Sequence, residues 1–273
     1  MSDPAADDAA EPTSDEGENP AAARTRHGME ALWGLRTPSG RGPKQGLTVD
    51  AIAEAGVAIA DEGGLDAVSM RRVAERLGVG TMSLYTYVPG KPELLEVMLD
   101  RVYAEPDGPV THPDGWRAAL EANARADWEL YQRHPWVLHA NVRAGLGPNE
   151  LDRYERALRR VDGIGLTGRE MAAVASLVGG YVAAAARRVA DARSAPERTG
   201  LTDDEWWAAR SAILDQVWDA ERWPTASRLD EDDAFAPDSG LSYLEAEALT
   251  DFEFGLQCVL GGIDALVRSR AEP

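Results

Sequence analysis

Hydroxyl, tyrosine and basic side chains are concentrated in one short stretch, SMRRVAERLGVGTMSLYTYVPGKPELL, which runs from Ser69 to Leu95. Hydroxyl groups and lysine bind phosphate oxygens, whereas an arginine can donate two parallel hydrogen bonds to a guanine base. The whole chain carries 28 Lys and Arg against 47 Asp and Glu, so its net charge of −19 would repel a polyanion. Any contact between this stretch and nucleic acid must therefore be local.

The apolar residues of the stretch have the spacing of two short helices. Met70, Val73, Ala74 and Leu77 form one stripe after Ser69, which can cap the helix, and Gly78 turns the chain. In a second helix, from about Gly80 to just before Pro89, Leu84 and Val88 face inward. The side chains left toward solvent are Thr81, Met82, Ser83, Tyr85 and Tyr87. This is the pattern of a helix-turn-helix, although a helical hairpin with a solvated polar face is the simpler interpretation of the pattern alone.

A longer helix precedes this pair. Its apolar face is formed by Val49, Ile52, Ala53, Gly56, Val57 and Ala60, and it is predicted to stop at Gly63 and Gly64. No strand alternation persists anywhere, so we predict an all-α chain: an N-terminal three-helix helix-turn-helix domain followed by a C-terminal helical bundle. The nucleotide-binding loop, the serine-hydrolase elbow and the zinc-protease motif are all absent, so neither catalytic residues nor a cofactor are expected.

Charge and composition divide the chain into segments. Residues 1–23 hold seven acids and no base, which predicts a disordered acidic tail. Residues 24–46 are basic and rich in turn-forming residues, which predicts a flexible arm. Arg36, Arg41 and Lys44 of this arm could lie along a DNA duplex or in its minor groove, and ordinary solvation is an equal alternative. The helix-turn-helix domain is expected over 47–91 and the C-terminal domain over 92–273.

The stretch with its flanks, AIADEGGLDAVSMRRVAERLGVGTMSLYTYVPGKPELLEVMLDRVY, closely resembles the DNA-binding domain of the tetracycline-repressor (TetR) family of bacterial transcription regulators. The resemblance covers about 60 residues and rests on the turn from Leu77 to Val79, the pair Leu84 and Tyr85, Tyr87, and the run from Lys91 to Leu95. It implies that Arg71 and Thr81 face base edges and that Met82 can touch a thymine methyl group. It further implies that phosphates are held by Ser83, Tyr85, Tyr87 and Lys91.

The remainder of the chain resembles the regulatory domain of the tetracycline repressors themselves. The segments REMAAVASLVGGYVAAAARRVADA and DFEFGLQCVLGGIDALVRS are similar to the two helices that form a four-helix dimer interface in that family. The resemblance implies a homodimer, for which Ala186 and Gly255 are candidate partner-facing positions. The alanine and glycine residues of these segments are explained nearly as well by a plain buried helix. Cys258 is expected to be a small core residue. Between these helices, the acidic segment 201–245 predicts a short helix and a mobile connection.

An effector pocket is the second implication of the resemblance. Asn123 lies where the tetracycline repressor has a drug-binding asparagine, and His139 lies near its magnesium-binding histidine. We predict an apolar, aromatic pocket formed by Trp128, Trp136 and Tyr181, with Asn123 and His139 as orienting polar groups. In the alternative, Asn123 is a surface amide on a helix, and His134 and His139 are packing residues. No metal site is expected, because His134 and His139 do not share a helix face.

The sequence thus predicts a regulator that represses transcription until a small-molecule effector releases it from a palindromic DNA operator. An activator or adaptor that needs no effector is the alternative. The N-terminus resembles no signal peptide, and no apolar run reaches the roughly 20 residues of a membrane span. We therefore expect a cytoplasmic protein without membrane partners, associated with the nucleoid when bound to DNA.

Overall fold

The computed structural model describes residues 19–35, 47–140, 146–231 and 243–271. Regular structure in these ranges is entirely helical, which confirms the predicted all-α class. The helices are α1 (Pro20–Leu32), α2 (Val49–Ala67), α3 (Met70–Leu77), α4 (Thr81–Tyr85), α5 (Lys91–Tyr103), α6 (Trp116–Arg133), α7 (Pro148–Arg159), α8 (Gly168–Thr199), α9 (Asp203–Val217), α10 (Pro224–Glu231) and α11 (Tyr243–Ala271). A 3₁₀ helix, Pro135–His139, lies between α6 and α7.

The helix-turn-helix forms as its local sequence predicts. The Ser69 hydroxyl accepts a hydrogen bond from the backbone N–H of Arg72 and so caps α3. Gly78 ends α3 in the left-handed region, with φ of 66°, which glycine adopts without steric cost. Leu84 and Val88 are fully buried, so the rest of α4 is turned outward. Within α2, Gly63 and Gly64 leave the helical conformation, so the chain kinks where the sequence predicted the helix to stop.

The first hydrophobic core includes residues beyond the predicted domain boundary at 91. Leu94, Met98 and Val102 of α5 are buried together with the apolar faces of α2, α3 and α4. Trp136 and Val137 of the 3₁₀ helix join the same core. The predicted boundary therefore cuts through α5, whose apolar face belongs to the DNA-binding domain along most of its length.

Residues 20–32 form helix α1, where the sequence predicted the end of a disordered tail and the start of a flexible arm. The Asn19 side chain accepts from the N–H of Ala21, and Pro20 occupies the first helical position. Gly28, Ala31 and Leu32 are buried, with Gly28 packed against Glu93 and Glu96 of α5. The prediction rested on the charge of the segment and on its helix-breaking residues. The helix forms because this short apolar stripe, whose residues have helical spacing, is buried.

The second core lies between α6, α8 and α11. Leu120 and Ala124 of α6 are buried against Val178 and Val182 of α8 and against Leu256 of α11. Outside this core, α9 has no buried residue and is followed by α10, so the acidic segment contains two helices before residue 232. In the described part of the chain, no helix has the length and apolar character that crossing a membrane requires.

The two cores meet at the C-terminal end of α6. His134 Nδ1 lies 2.8 Å from Asp61 Oδ1 of α2, and its Nε2 lies 3.0 Å from Glu105 Oε1, just after α5. The Trp136 indole N–H donates to the same Asp61 oxygen at 2.8 Å. Burial acts to raise the pKa of Glu105, but hydrogen bonds from Arg133 and His134 outweigh it and hold the pKa below its usual value. A polar junction thus fastens the end of α6 to the DNA-binding domain.

The junction can be tested with Asp61→Ala, which removes the acceptor for Trp136 and His134. A buried donor without a partner costs about 1 to 3 kcal/mol, so the free energy of unfolding should fall by about that amount. Urea denaturation measures the change, with Asp66→Ala, an exposed carboxylate of the same domain, as the matched control. Equal stability of the two variants would show that the junction contributes nothing.

Candidate DNA-binding surface and effector cavity

The exposed side of the helix-turn-helix carries the residues that the sequence assigned to DNA. Met82 is 77% exposed and Tyr85 is 41% exposed, while the side chains of Thr81, Ser83 and Tyr87 are half-buried beside them. Because α4 has only five residues, its outer face is a small convex surface rather than a long ridge. Such a surface can enter a major groove and present hydroxyl groups to phosphates at its sides.

The basic residues at this surface are held by contacts within the domain. Arg71 Nε donates to Glu75 Oε1 at 2.8 Å, with most of the Arg71 side chain in solvent. Lys91 Nζ lies 3.4 Å from the carbonyl oxygen of Leu65, at the N-terminal end of α5. Both contacts are exposed, so they can be exchanged for contacts with DNA at small cost. The other predicted DNA contacts, Arg36, Arg41 and Lys44, lie outside the described residues.

A cavity of about 470 Å³ lies in the C-terminal domain among α5, α6, α7 and α8. Its apolar wall includes Leu120, Leu151 and Val178, and Ala175, Ser176 and Gly179 of α8 add only small side chains. Three tyrosines line it: Tyr103 at the end of α5, Tyr131 on α6 and Tyr154 on α7. The volume is in the range of small-molecule sites, which bury a drug-sized ligand within about 300 to 1,000 Å³.

The polar wall of the cavity is built around Asp127. Asn123 Nδ2 donates to Asp127 Oδ2 at 3.2 Å, one helical turn away on α6, and Arg153 of α7 donates to Asp127 Oδ1. Burial raises the pKa of Asp127 to about 6, against the opposing effect of Arg153. Arg153 also lies over the ring of Tyr103, with its guanidinium carbon 5.5 Å from the ring centroid. This part of the wall therefore presents both an aromatic ring and hydrogen-bonding groups held in fixed positions.

The carboxylate of Asp100 fixes the helix that carries Arg153. Asp100 Oδ1 accepts from the backbone N–H groups of Asn149 and Glu150, each at 3.0 Å, which satisfies the first turn of α7. A Cβ atom at Gly147 would overlap this carboxylate, so a larger residue before α7 would displace Asp100 from the first turn of α7. The indole N–H of Trp33, just after α1, donates to the carbonyl of Leu146 on the cavity wall.

The structure places one of the five predicted pocket residues on this cavity and the other four elsewhere. Asn123 is buried and lines the cavity, whereas Trp136 belongs to the first core and His139 is exposed. Trp128 stacks on Phe252 with ring centroids 4.0 Å apart, and the Tyr181 hydroxyl donates to backbone carbonyls of α11. The sequence analysis missed Asp127, Tyr131 and Arg153, although Asn123, Asp127 and Tyr131 recur every four residues on α6. That spacing is the signal that could have identified the wall.

Helices α8 and α11, which pack against each other, each carry a stripe of exposed small and apolar residues. These are Ala173, Leu177, Gly180 and Ala184 on α8, and Phe254, Cys258, Gly262 and Ala265 on α11. Leu177 is 52% exposed and Phe254 is 73% exposed. We call these eight residues the α8–α11 face. Cys258 was expected in the core and is instead exposed, because α11 buries the opposite stripe through Phe252, Leu256 and Leu260.

The two candidate partner-facing positions lie inside the chain. Ala186 is fully buried, and a Cβ atom at Gly255 would overlap the hydroxyl of Tyr181. Long helices with two apolar faces leave the choice of outer face ambiguous in the sequence, and here the prediction selected the inner one.

The helix-turn-helix and the cavity together are the features of a ligand-responsive DNA-binding regulator. The family model for bacterial regulatory proteins of the tetR family matches residues 52–98, and the tetracyclin repressor-like C-terminal domain matches residues 108–267. The HTH-type transcriptional repressor DrrR1 of Streptomyces coeruleorubidus is 46% identical over 244 residues, which are 89% of this chain and 86% of that relative. The chain therefore belongs to the TetR family of transcription regulators, a family that is not enzymatic.

Solved structures agree with the sequence relatives. The chain is similar to ActR of Streptomyces coelicolor in complex with actinorhodin, with a TM-score of 0.66 and 26% identity over 81% of this chain and 97% of ActR. The ActR complex with (S)-DNPA has a TM-score of 0.63 at 26% identity, over 83% of this chain and all of ActR. The resemblance predicted from the sequence is thus confirmed, and with it a function in transcription regulation through DNA and a small ligand.

Proposed function

We propose that this chain is a homodimeric repressor that leaves a palindromic operator when an aromatic small molecule fills the cavity. The observation that carries the proposal is the course of α6. Asn123 and Asp127 on this helix line the cavity, and His134 at its end contacts Asp61 of the DNA-binding domain. A ligand that displaces α6 would therefore move the DNA-binding domain relative to the C-terminal domain. Three tyrosines on the cavity wall favour an aromatic effector, and the similar ActR is known with bound small molecules.

The DNA contacts that we propose follow the exposure and chemistry of the helix-turn-helix surface. Thr81 and Arg71 read base edges, Met82 contacts a thymine methyl group, and Ser83, Tyr85, Tyr87 and Lys91 bind phosphates. Arg36, Arg41 and Lys44 remain proposed contacts of the segment before α2. Repression takes place on the chromosome, so we place the chain in the cytoplasm, bound to the nucleoid through its operator.

Lys91→Ala tests the phosphate contacts. The full chain should select a palindromic duplex from random DNA, and the variant should bind selected and random duplexes more weakly by the same factor. The slope of log affinity against log salt should fall by about one unit, because one phosphate contact is lost. Fluorescence anisotropy over a salt series measures both quantities, with Arg159→Ala as control, since Arg159 is an exposed arginine on α7.

Thr81→Ala should behave differently in the same assay. Its loss should be confined to particular base pairs of the selected duplex, at about 1 to 3 kcal/mol. Equal losses on selected and random DNA would show that Thr81 does not recognise bases. For Lys91→Ala, an unchanged salt slope would show that Lys91 does not contact a phosphate.

The homodimer is proposed from the α8–α11 face. Its exposed apolar residues lie on adjacent helices, and a Cβ atom at Gly180 or Gly262 would meet no atom within 4 Å among the described residues beyond its own helix. A second copy packed there would form a four-helix interface around a two-fold axis, which matches a palindromic operator.

Phe254→Asp tests this interface. A charged group at an apolar dimer contact strands a desolvated carboxylate, so a wild-type dimer should become a monomer. Sedimentation velocity measures the change, and operator affinity should fall at least tenfold because one half-site is no longer held. Leu35→Asp is the matched control, since Leu35 is 72% exposed and lies after α1. Dimers that persist in Phe254→Asp, or a monomeric wild type, would refute the proposed interface.

A further inference from the structure

We propose that the cavity selects aromatic effectors that carry a carboxylate, and that Arg153 is the residue that binds this group. The inference rests on the proposed function, because it takes the cavity among α5, α6, α7 and α8 to be the effector site. The inference further specifies that the effector is negatively charged. This charge determines which of several compounds of similar shape the regulator can bind.

Arg153 has an unsatisfied donor inside the cavity wall. Its side chain is only 15% exposed, and one of its two terminal nitrogens, Nη2, donates to Asp127. The other, Nη1, is buried and has no hydrogen-bond partner among the residues that the structure describes. A guanidinium group keeps its proton at any physiological pH, so this donor cannot be removed by titration. A ligand oxygen would reach Nη1 if the guanidinium group turned toward the cavity, and this hydrogen bond would relieve the cost of leaving Nη1 unpaired.

The charges around Arg153 do not balance. Arg153, Arg156 and Arg160 share a buried cluster with two carboxylates, Asp107 and Asp127. Arg156 Nε and Arg160 Nη2 lie 3.0 and 3.3 Å from Asp107 Oδ1, so Asp107 serves two arginines. Three positive groups thus face two negative ones, and burial opposes the ionisation of Asp127. A carboxylate brought by the ligand would supply the missing negative charge.

The neighbouring polar groups are also donors. Tyr103 and Tyr131 line the cavity, and burial raises the pKa of both hydroxyls, so they stay protonated. Neither hydroxyl has a hydrogen-bond partner in the described part of the chain. Both oxygens of Asp127 are already engaged, one by Arg153 and the other by Asn123. The wall therefore offers one arginine donor and two hydroxyl groups that can turn to donate, whereas the oxygens of its buried carboxylate are engaged, which favours an oxygen anion over an ammonium group.

A further acid, Glu150, also lines the cavity. Glu150 accepts from the backbone N–H of Leu146 at 2.8 Å, and its charge contributes to the raised pKa of both Glu96 and Tyr103 on α5. Its carboxylate is thus directed to the loop before α7 and to α5. The aromatic body of the ligand would occupy the apolar part of the cavity, along Leu120 and the small residues of α8.

Two probes of the same shape test the charge preference: anthraquinone-2-carboxylate and its neutral carboxamide. Titration calorimetry on the full wild-type chain should give at least tenfold tighter binding of the carboxylate. In Arg153→Met the two dissociation constants should become equal within a factor of about two. Arg159→Met on the same helix should preserve the wild-type ratio. Equal binding of the probes to wild type, no binding of the carboxylate, or an unchanged ratio in Arg153→Met would each overturn the proposal.

A second variant keeps the test decisive if Arg153→Met fails to fold. Gly179 lines the cavity, and a Cβ atom there would meet no described atom outside its own helix within 4 Å, so Gly179→Leu can fold and occupy the space. It should abolish binding of both probes, with Ala208→Leu on the exposed face of α9 as control. Wild-type binding by Gly179→Leu would place the probes elsewhere and overturn the proposal. Selective carboxylate binding without release of DNA would refute the proposed effector response alone, and release by both probes equally would refute the charge selection alone.

Discussion

The contact of His134 with Asp61 and Glu105 is the constraint on which the regulatory architecture depends. It fixes the C-terminal end of α6 to α2 and to the end of α5, while the preceding turns of α6 form one wall of the cavity. A helix hydrogen-bonded along its length cannot shift at one end without a response at the other. Trp136 reinforces the junction, because its ring is buried in the core of the DNA-binding domain and its N–H is satisfied by Asp61.

Two further elements connect the cavity to the DNA-binding domain. Helix α5 begins at Lys91, beside the helix-turn-helix, and ends at Tyr103 on the cavity wall; Asp100 on the same helix caps α7. Helix α1 precedes both family domains and packs on α5, and Trp33 after it contacts the backbone of Leu146. A ligand in the cavity would therefore contact α5, α6 and α7, each of which contacts the N-terminal half of the chain or a helix packed against it. Ligand binding can shift such an equilibrium only through a difference in affinity between the two states.

The sequence predicted the features that depend on neighbouring residues and missed those that depend on distant ones. Ser69, Gly78, Leu84 and Val88 specify the helix-turn-helix within 20 residues, because capping, left-handed glycine and helical spacing are local. Arg153 and Asp127 are 26 residues apart, and only the packing of α7 on α6 joins them. Trp136 was assigned to the pocket for its aromatic ring, yet the 3₁₀ turn after His134 directs it into the other core.

The most direct test of the account is the reciprocity between the cavity and the DNA-binding surface. The dissociation constant of anthraquinone-2-carboxylate is measured for the free chain and for the chain saturated with its selected duplex, and that of the duplex with and without saturating probe. Linkage requires the two ratios to be equal, and we expect each affinity to fall by the same factor, of about 5 to 150, when the other site is filled. Probe and duplex affinities that do not depend on each other would contradict the account.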